Sequence, residues 1–163
     1  MAEQEKTPPM VINTQYIKDL SFENPNAPAI YAAMTQNAPD LNIAIDVTPV
    51  SLNETTYEVA LSLRAEATVG ETSAFLTELE YAGIVTLSES LSEEEKTLSL
   101  MVEAPRHLFP FARAIIAGAT RDGGFPPLVV NPIDFYEFYK NRQNESAEAT
   151  ENGAEESPSE DSA

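Results

Sequence analysis

Apolar and polar residues alternate along much of the first half of the chain, which predicts β-strands. The clearest segment is 57–67, where apolar side chains occupy every second position. The segment 41–47 has the same pattern, and a fourth strand is predicted from about residue 72 to residue 87, with Gly83 as a bend or bulge. Such alternation is typical of an antiparallel sheet with one buried and one wetter face.

The first predicted strand contains Tyr16, Leu20 and Phe22, which strict alternation puts on one face. Helical patterns appear only after the strands, and no strand–helix–strand repeat is present. Strands followed by helices indicate the α+β class. We therefore predict a four-stranded antiparallel sheet followed by helices packed on one face.

Helix boundaries are predicted from capping residues and prolines. Ser92 with Glu95 three residues later predicts a capping box at the start of a helix. Pro105 is expected to end that helix. Pro110 is expected to open a second helix that ends near Gly123.

A third helix is predicted to begin at Asn131 as the cap, with Pro132 in its first turn. The last twenty residues carry seven acidic side chains and no basic ones, a composition that cannot bury enough surface to fold. We predict a flexible N-terminus (1–9), one folded domain (10–142) and a disordered acidic tail (143–163).

The chain of 163 residues is strongly acidic, with a formal net charge of −18. Such a surface repels nucleic acid and anionic membranes and attracts basic partners. The sequence contains no cysteine, which excludes disulfides and thiolate chemistry. The N-terminal residues have no apolar stretch after their charges, so we expect a cytoplasmic protein without a secretory signal.

The sequence contains no recognisable catalytic or cofactor-binding motif. His107 is the single histidine and is expected to be structural or solvent-facing. The six glycines form neither a dinucleotide nor a P-loop motif. The acidic run 93–95 is interpreted as a solvated helix face. We therefore predict no catalytic residues, no metal site and no cofactor.

Three stretches resemble the SecB family of export chaperones. They are YIKDLSFENPNAP (16–28), GETSAFLTELEYAGI (70–84) and PRHLFPFARAIIAGATRDGGFPPLVVNPIDFYEFY (105–139), in the same order and spacing as in that family. The likeness spans most of residues 11–142. The segment 87–105 is more acidic than the family pattern, which leaves the helix boundary there open.

The resemblance implies an ATP-independent chaperone that forms a homotetramer, a dimer of dimers. It implies binding of unfolded preproteins and their delivery to SecA, the translocation ATPase, through the zinc-bearing C-terminal tail of SecA. The docking residues implied for SecA are Asp19, Glu23, Leu76 and Glu78.

The other face of the fourth strand carries the residues that the resemblance associates with tetramer assembly, namely Phe75, Thr77, Leu79 and Tyr81. The residues expected to contact unfolded clients are Tyr31, Phe125, Leu128 and Val129. Two alternatives remain open: a SecB-like chaperone of a toxin–antitoxin system, and a hydrolase built on scattered carboxylates.

Overall fold

Four long strands form one antiparallel sheet in the order β1-β4-β3-β2. A computed structural model describes residues 7–153. The strands are β1 (Met10–Glu23), β2 (Asp40–Ser51), β3 (Thr56–Val69) and β4 (Thr72–Leu87). The helices are α1 (Ala29–Met34), α2 (Glu93–Leu98), α3 (Ala104–Asp122) and α4 (Phe135–Gly153), with a π-helical segment at Ser99–Glu103. The predicted α+β architecture is confirmed.

The helices cover one face of the sheet, which we call the helix face. The core lies there, because the odd-numbered side chains of β3 and β4 point towards α3. Val59, Leu61 and Val85 are fully buried in it. A methyl group added at Gly83 would lie 3.0 Å from Leu108 of α3, so the helix approaches β4 where the strand lacks a side chain. The opposite, uncovered face is called the outer face below.

Strand β1 carries two irregularities that change which side chains share a face. Its pairing with β4 shifts register between Ile12 and Thr14 and again between Ile17 and Asp19. Tyr16 therefore pairs with Ala82 on the outer face, whereas Leu20 and Phe22 pair with positions on the helix face. The expectation that all three share one face was wrong, because a bulge inserts an extra residue and resets the alternation.

One continuous helical stretch replaces the two helices predicted from the prolines. The Ser92–Glu95 capping box forms as predicted, but Pro105 does not end the helix. The chain passes through the π-helical segment into α3, with Pro105 in its first turn, where a missing N–H is tolerated. Pro110 lies inside α3 and does not begin it. The carbonyl of Arg106, deprived of its donor by Pro110, lies on an exposed turn where water can replace that donor.

The last helix begins later than predicted. The Asp134 carboxylate accepts hydrogen bonds from the backbone N–H groups of Tyr136 (3.1 Å) and Glu137 (3.2 Å), so Asp134 caps α4 and the prediction for Asn131 and Pro132 was wrong. Helix α4 continues to Gly153, so residues 143–153 are helical where the sequence predicts a disordered tail. The remainder of the predicted tail and residues 1–6 lie outside the described residues.

Candidate functional site

Four aromatic rings meet at the end of the sheet where β1 ends and β4 begins. Phe75 of β4 stacks on Phe22 of β1 with ring centroids 5.8 Å apart, and Phe125 lies 5.0 Å from Phe75. Tyr31 of α1 packs against Phe125 at 5.3 Å. The segment that follows β1 and the segment that follows α3 are thus joined through their aromatic side chains.

A recess of about 250 Å³ opens beside this cluster, between α1 and the segment after α3. Its lining is mainly apolar and consists of Tyr31, Met34, Thr35, Gly124, Phe125 and Pro126. Two of the four residues predicted to contact clients therefore line one opening. Met34 was not predicted, because it lies on α1, a short helix between β1 and β2 where the sequence predicts none.

The other two predicted client residues differ in what they expose. Leu128 is buried, and its backbone N–H donates a hydrogen bond of 2.9 Å to the hydroxyl of Thr120 in α3. Val129, the next residue, is 68% exposed. Leu128 therefore anchors the segment, whereas the Val129 side chain is open to a partner.

A hydrogen-bond network holds the two sides of the recess together. The Tyr31 hydroxyl donates to the Gly123 carbonyl oxygen (2.8 Å), and the Asn24 side-chain amide donates to the Tyr31 oxygen (2.7 Å). Gly124 has a φ of +86°, and a Cβ at this position would lie 2.9 Å from the Tyr31 oxygen. Close approach of backbone to ring thus requires glycine here. Asn24 was missed in the sequence because loop asparagines are common.

The four residues predicted to dock SecA lie on the outer face. Glu23 pairs with Leu76 across β1 and β4, and Asp19 pairs with Glu80. Glu78 is exposed and forms an ion pair with Arg64 of β3, with Nε 3.1 Å from the carboxylate. A shallow depression of about 260 Å³ in this face has five charged side chains around it: Asp19, Asp46, Arg64, Glu78 and Glu80. The strand register therefore gathers acidic groups around one arginine.

The four residues predicted at the tetramer interface are buried within the chain itself. They lie on the helix face, where Thr77 donates to the Ser21 carbonyl oxygen (2.9 Å) and Tyr81 to the Gln15 side chain (3.1 Å). The large apolar side chains that remain exposed nearby are Ile17, Leu20 and Phe111. The Phe111 ring of α3 stacks on Tyr81 at 6.3 Å, so the buried row is coupled to the exposed surface.

Residues 7–153 contain neither a metal-binding cluster nor a membrane-spanning helix. They contain no group of three or more His, Cys, Asp and Glu side chains arranged to hold a metal ion. His107 is exposed on α3, as expected. Across the same residues, no helix has both the length and the apolar character needed to cross a bilayer.

An open apolar recess, free strand edges and an acidic sheet face together define a protein-binding domain. The family model described as "Preprotein translocase subunit SecB" matches residues 3–146. The chain therefore belongs to the SecB family of protein-export chaperones.

The relatives include the "Protein-export protein SecB" of Rhodospirillum centenum, 50% identical over 137 residues, or 84% of this chain and 81% of that protein. The protein of the same name from Parvibaculum lavamentivorans is 44% identical over 148 residues, covering 91% of this chain and 87% of that protein. Among solved structures, a SecB-like chaperone of Mycobacterium tuberculosis, in complex with a peptide from an antitoxin, aligns with a TM-score of 0.63. It is 14% identical, with 76% of this chain and 90% of that chain covered, so it supports the fold alone.

Proposed function

We propose that this chain binds unfolded preproteins in the cytoplasm without nucleotide, keeps them competent for export and delivers them to SecA. The observation that carries the proposal is the aromatic recess between Tyr31 and Phe125. Val129 is exposed on the segment that continues from Phe125. An ordered apolar opening of this kind lowers the free energy of an apolar side chain that leaves water.

Capture of many different sequences follows from the kind of contact that the recess offers. Burial of apolar surface is non-directional, so the recess does not select one side chain. The strands β1 and β2 are the two edges of the sheet and present unpaired backbone groups that an extended chain can bond. Several weak contacts on one long client then add through effective concentration. Folded proteins bury their apolar side chains and pair their backbone groups internally, so they are not captured.

The proposal includes neither catalysis nor a cofactor. The relatives at 44–50% identity are named for protein export, which favours an export role over a chaperone of a toxin–antitoxin system. The neighbour solved with an antitoxin peptide shares the fold at low identity and does not favour the alternative. The acidic side chains of the outer face surround Arg64 in a shallow, open depression, which offers no enclosed carboxylate pair for a hydrolase.

Docking of SecA is proposed on the outer face, at Asp19, Glu23, Leu76 and Glu78. Acidic groups there favour a basic partner segment, and the apolar Leu76 between them supplies contact area. The face is uncovered in the subunit, so docking needs no rearrangement of the helices. The recess proposed for client capture lies on the helix face of the sheet, so both ligands are expected to bind at once.

Assembly into a tetramer, a dimer of dimers, is proposed through the exposed apolar side chains of β1 and α3. Ile17 is 49% and Phe111 53% exposed, and both lie beside Tyr81 in the row formed by Phe75, Thr77, Leu79 and Tyr81. Because that row is buried in the subunit, we expect it to affect assembly through packing rather than by direct contact. A smaller residue at Tyr81, for example, withdraws support from the Phe111 ring.

Client capture is tested by a refolding-arrest assay with two forms of one client protein, a slow-folding and a fast-folding variant. The slow form is expected to be held unfolded in the presence of the chaperone, because its apolar segments stay exposed long enough to bind. The fast form is expected to refold with little retardation. Equal arrest of both forms contradicts the proposal.

SecA docking is tested by calorimetry with Glu78→Lys, which reverses a charge in the middle of the outer face. We expect weaker SecA binding with unchanged client capture and unchanged assembly. Glu94→Lys makes the same charge change on the exposed surface of α2, away from the outer face, and should bind SecA as the natural chain does. Equal affinities of the two variants would remove the assignment of Glu78.

A further inference from the structure

Strand β2 is a free edge of the sheet, and its register fixes which of its backbone groups point away from β3. Residues of an antiparallel strand bond alternately to the neighbouring strand and away from it. At the turn, Leu52 donates its N–H to the Thr56 carbonyl oxygen (2.9 Å), which sets the bonded positions of β2 as the even-numbered ones. The backbone groups of the odd-numbered residues therefore face outwards, away from the sheet.

One end of this outward edge is closed by side chains. The Val47 N–H donates to the carboxylate of the preceding residue, Asp46 (2.8 Å). Arg142 of α4 forms an ion pair with the same carboxylate, and its guanidinium lies 3.5 Å from the Val47 carbonyl oxygen. The next outward position is Pro49, which has no N–H to offer.

Helix α4 holds Arg142 in this position. The guanidinium lies 5.9 Å from the centre of the Phe138 ring, one turn earlier on the same helix. A recess of about 310 Å³ separates α4 from the strand here, lined by Ile45, Asp46, Phe138, Arg142 and Glu145. The Arg142 side chain thus forms the hydrogen bonds between α4 and the edge strand.

The other end of the edge is open. Within residues 7–153, no side chain forms a hydrogen bond with the outward backbone groups of Leu41, Ile43 or Ile45. Leu41 is 50% and Ile43 36% exposed on the helix face, although both are large apolar side chains. A strand edge with exposed apolar side chains is a template for another extended chain.

We propose that Asp46, Arg142 and Pro49 form a stop that confines strand pairing with a client to residues 41–45. This inference rests on the proposed function. The occupant is an extended segment of an unfolded client, about five residues long where it pairs. Its apolar side chains alternate onto Leu41 and Ile43. Its intervening side chains point to the outer face beside the carboxylate of Asp40, which favours lysine or arginine there.

The stop gives strand pairing a defined end and register. Without it, twelve residues of regular edge would be free to pair with any strand, including β2 of a second copy, which is the route to edge-to-edge aggregation. With it, a short pairing site is kept for clients.

Amide hydrogen exchange read by NMR on the full chain tests the stop directly. The probe is lysozyme with its disulfides reduced and alkylated, a basic and permanently unfolded polypeptide. We expect the amides of Leu41, Ile43 and Ile45 to exchange at least about tenfold more slowly with the client bound, and that of Val47 to be unchanged. If light scattering shows the client bound and these three amides gain no protection, the inference fails and the proposed function stands. If the client does not bind at all, both fail.

Two sets of variants separate backbone pairing from side-chain contact and probe the stop. Ile43→Pro removes one outward N–H as well as the side chain, whereas Ile43→Ala removes the side chain alone. We expect the proline variant to bind the client about two- to tenfold more weakly than the alanine variant, the worth of one hydrogen bond. In the double variant Asp46→Ala, Arg142→Ala, the Val47 amide should gain protection when the client binds. Equal affinities of the first pair, or a Val47 amide that stays unprotected in the double variant, overturns the inference.

Discussion

Tyr16 on β1 donates a hydrogen bond to the carboxylate of Glu58 on β3, across the strand that lies between them. The register puts Ala82 of β4 beside Tyr16, so no long side chain blocks the path. Lys18 reaches the same carboxylate at 2.7 Å. The contact fastens the edge strand β1 to the sheet on its outer face, and it exists because the bulge in β1 turns Tyr16 to that face.

The alkaline stability of the chain should depend on Tyr16. Burial, followed by the hydrogen bond to Glu58 and its negative charge, raises the pKa of Tyr16 from 10.0 to about 12. Between these values the unfolded chain loses the phenolic proton while the folded chain keeps it, so stability falls as pH rises from 10 to 12. In urea unfolding, the free energy of unfolding of Tyr16→Phe should therefore fall less between pH 10 and pH 12 than that of the natural chain. Tyr136→Phe, at an exposed position, is the control and should show the full fall; identical slopes in both variants would refute the role of Tyr16.

The loss of folding stability at acid pH should depend on Glu58. Hydrogen bonds from Lys18 and Tyr16 hold the pKa of Glu58 below its usual 4.5. A group with a lowered pKa contributes stability above its unfolded pKa and loses it as pH falls through the folded pKa. Glu58→Gln should therefore be less stable than the natural chain at pH 7, with a smaller difference at pH 3. A difference independent of pH would show that the charge is not what matters.

Much of the sheet was predictable because alternation is a local signal. The length of β3 followed from its sequence alone, and so did the division of β4 into an acidic face and an apolar face. Which side chains of β1 share a face could not be predicted, since the bulge is set by pairing with β4 and no local pattern indicates it. The boundary prediction failed at Pro105 because this proline occupies the first turn of α3, where it is tolerated. It failed at Pro110 because tertiary burial of Leu108 and Phe109 outweighs the local cost of that proline. The recess could not be predicted because it depends on contacts between residues far apart in the sequence, such as Asn24 and Gly123, ninety-nine positions apart.

Gly123 should be intolerant of a side chain. A Cβ there would overlap the Phe22 ring, which packs against both Phe75 and Phe125. Gly123→Ala should cost about 1–3 kcal/mol in the free energy of unfolding, as overpacked cores do, and weaken client binding. Addition of Phe22→Leu should recover part of the loss. If the double variant is no more stable than expected from the sum of the single ones, the two residues are not in contact.

Thr120 should hold in place the segment that carries Phe125, Leu128 and Val129, the residues predicted to contact clients. Its buried hydroxyl accepts the Leu128 N–H and donates back into α3, 3.0 Å from the Ala117 carbonyl oxygen. Thr120→Val keeps the shape but leaves the N–H unpaired, at a cost of about 1–3 kcal/mol. Denaturant unfolding measures this cost, and Thr120→Ser, which keeps the hydroxyl, should lose less. A valine variant as stable as the serine variant would contradict this role.

We infer above all that copies of this chain associate and bind unfolded polypeptide on apolar surface that they leave exposed. Light scattering of the pure protein, alone and with a permanently unfolded client, measures both properties in one experiment. We expect a particle with four times the mass of the chain that gains the mass of the client on mixing. A single-chain particle whose mass does not change when the client is added would contradict it.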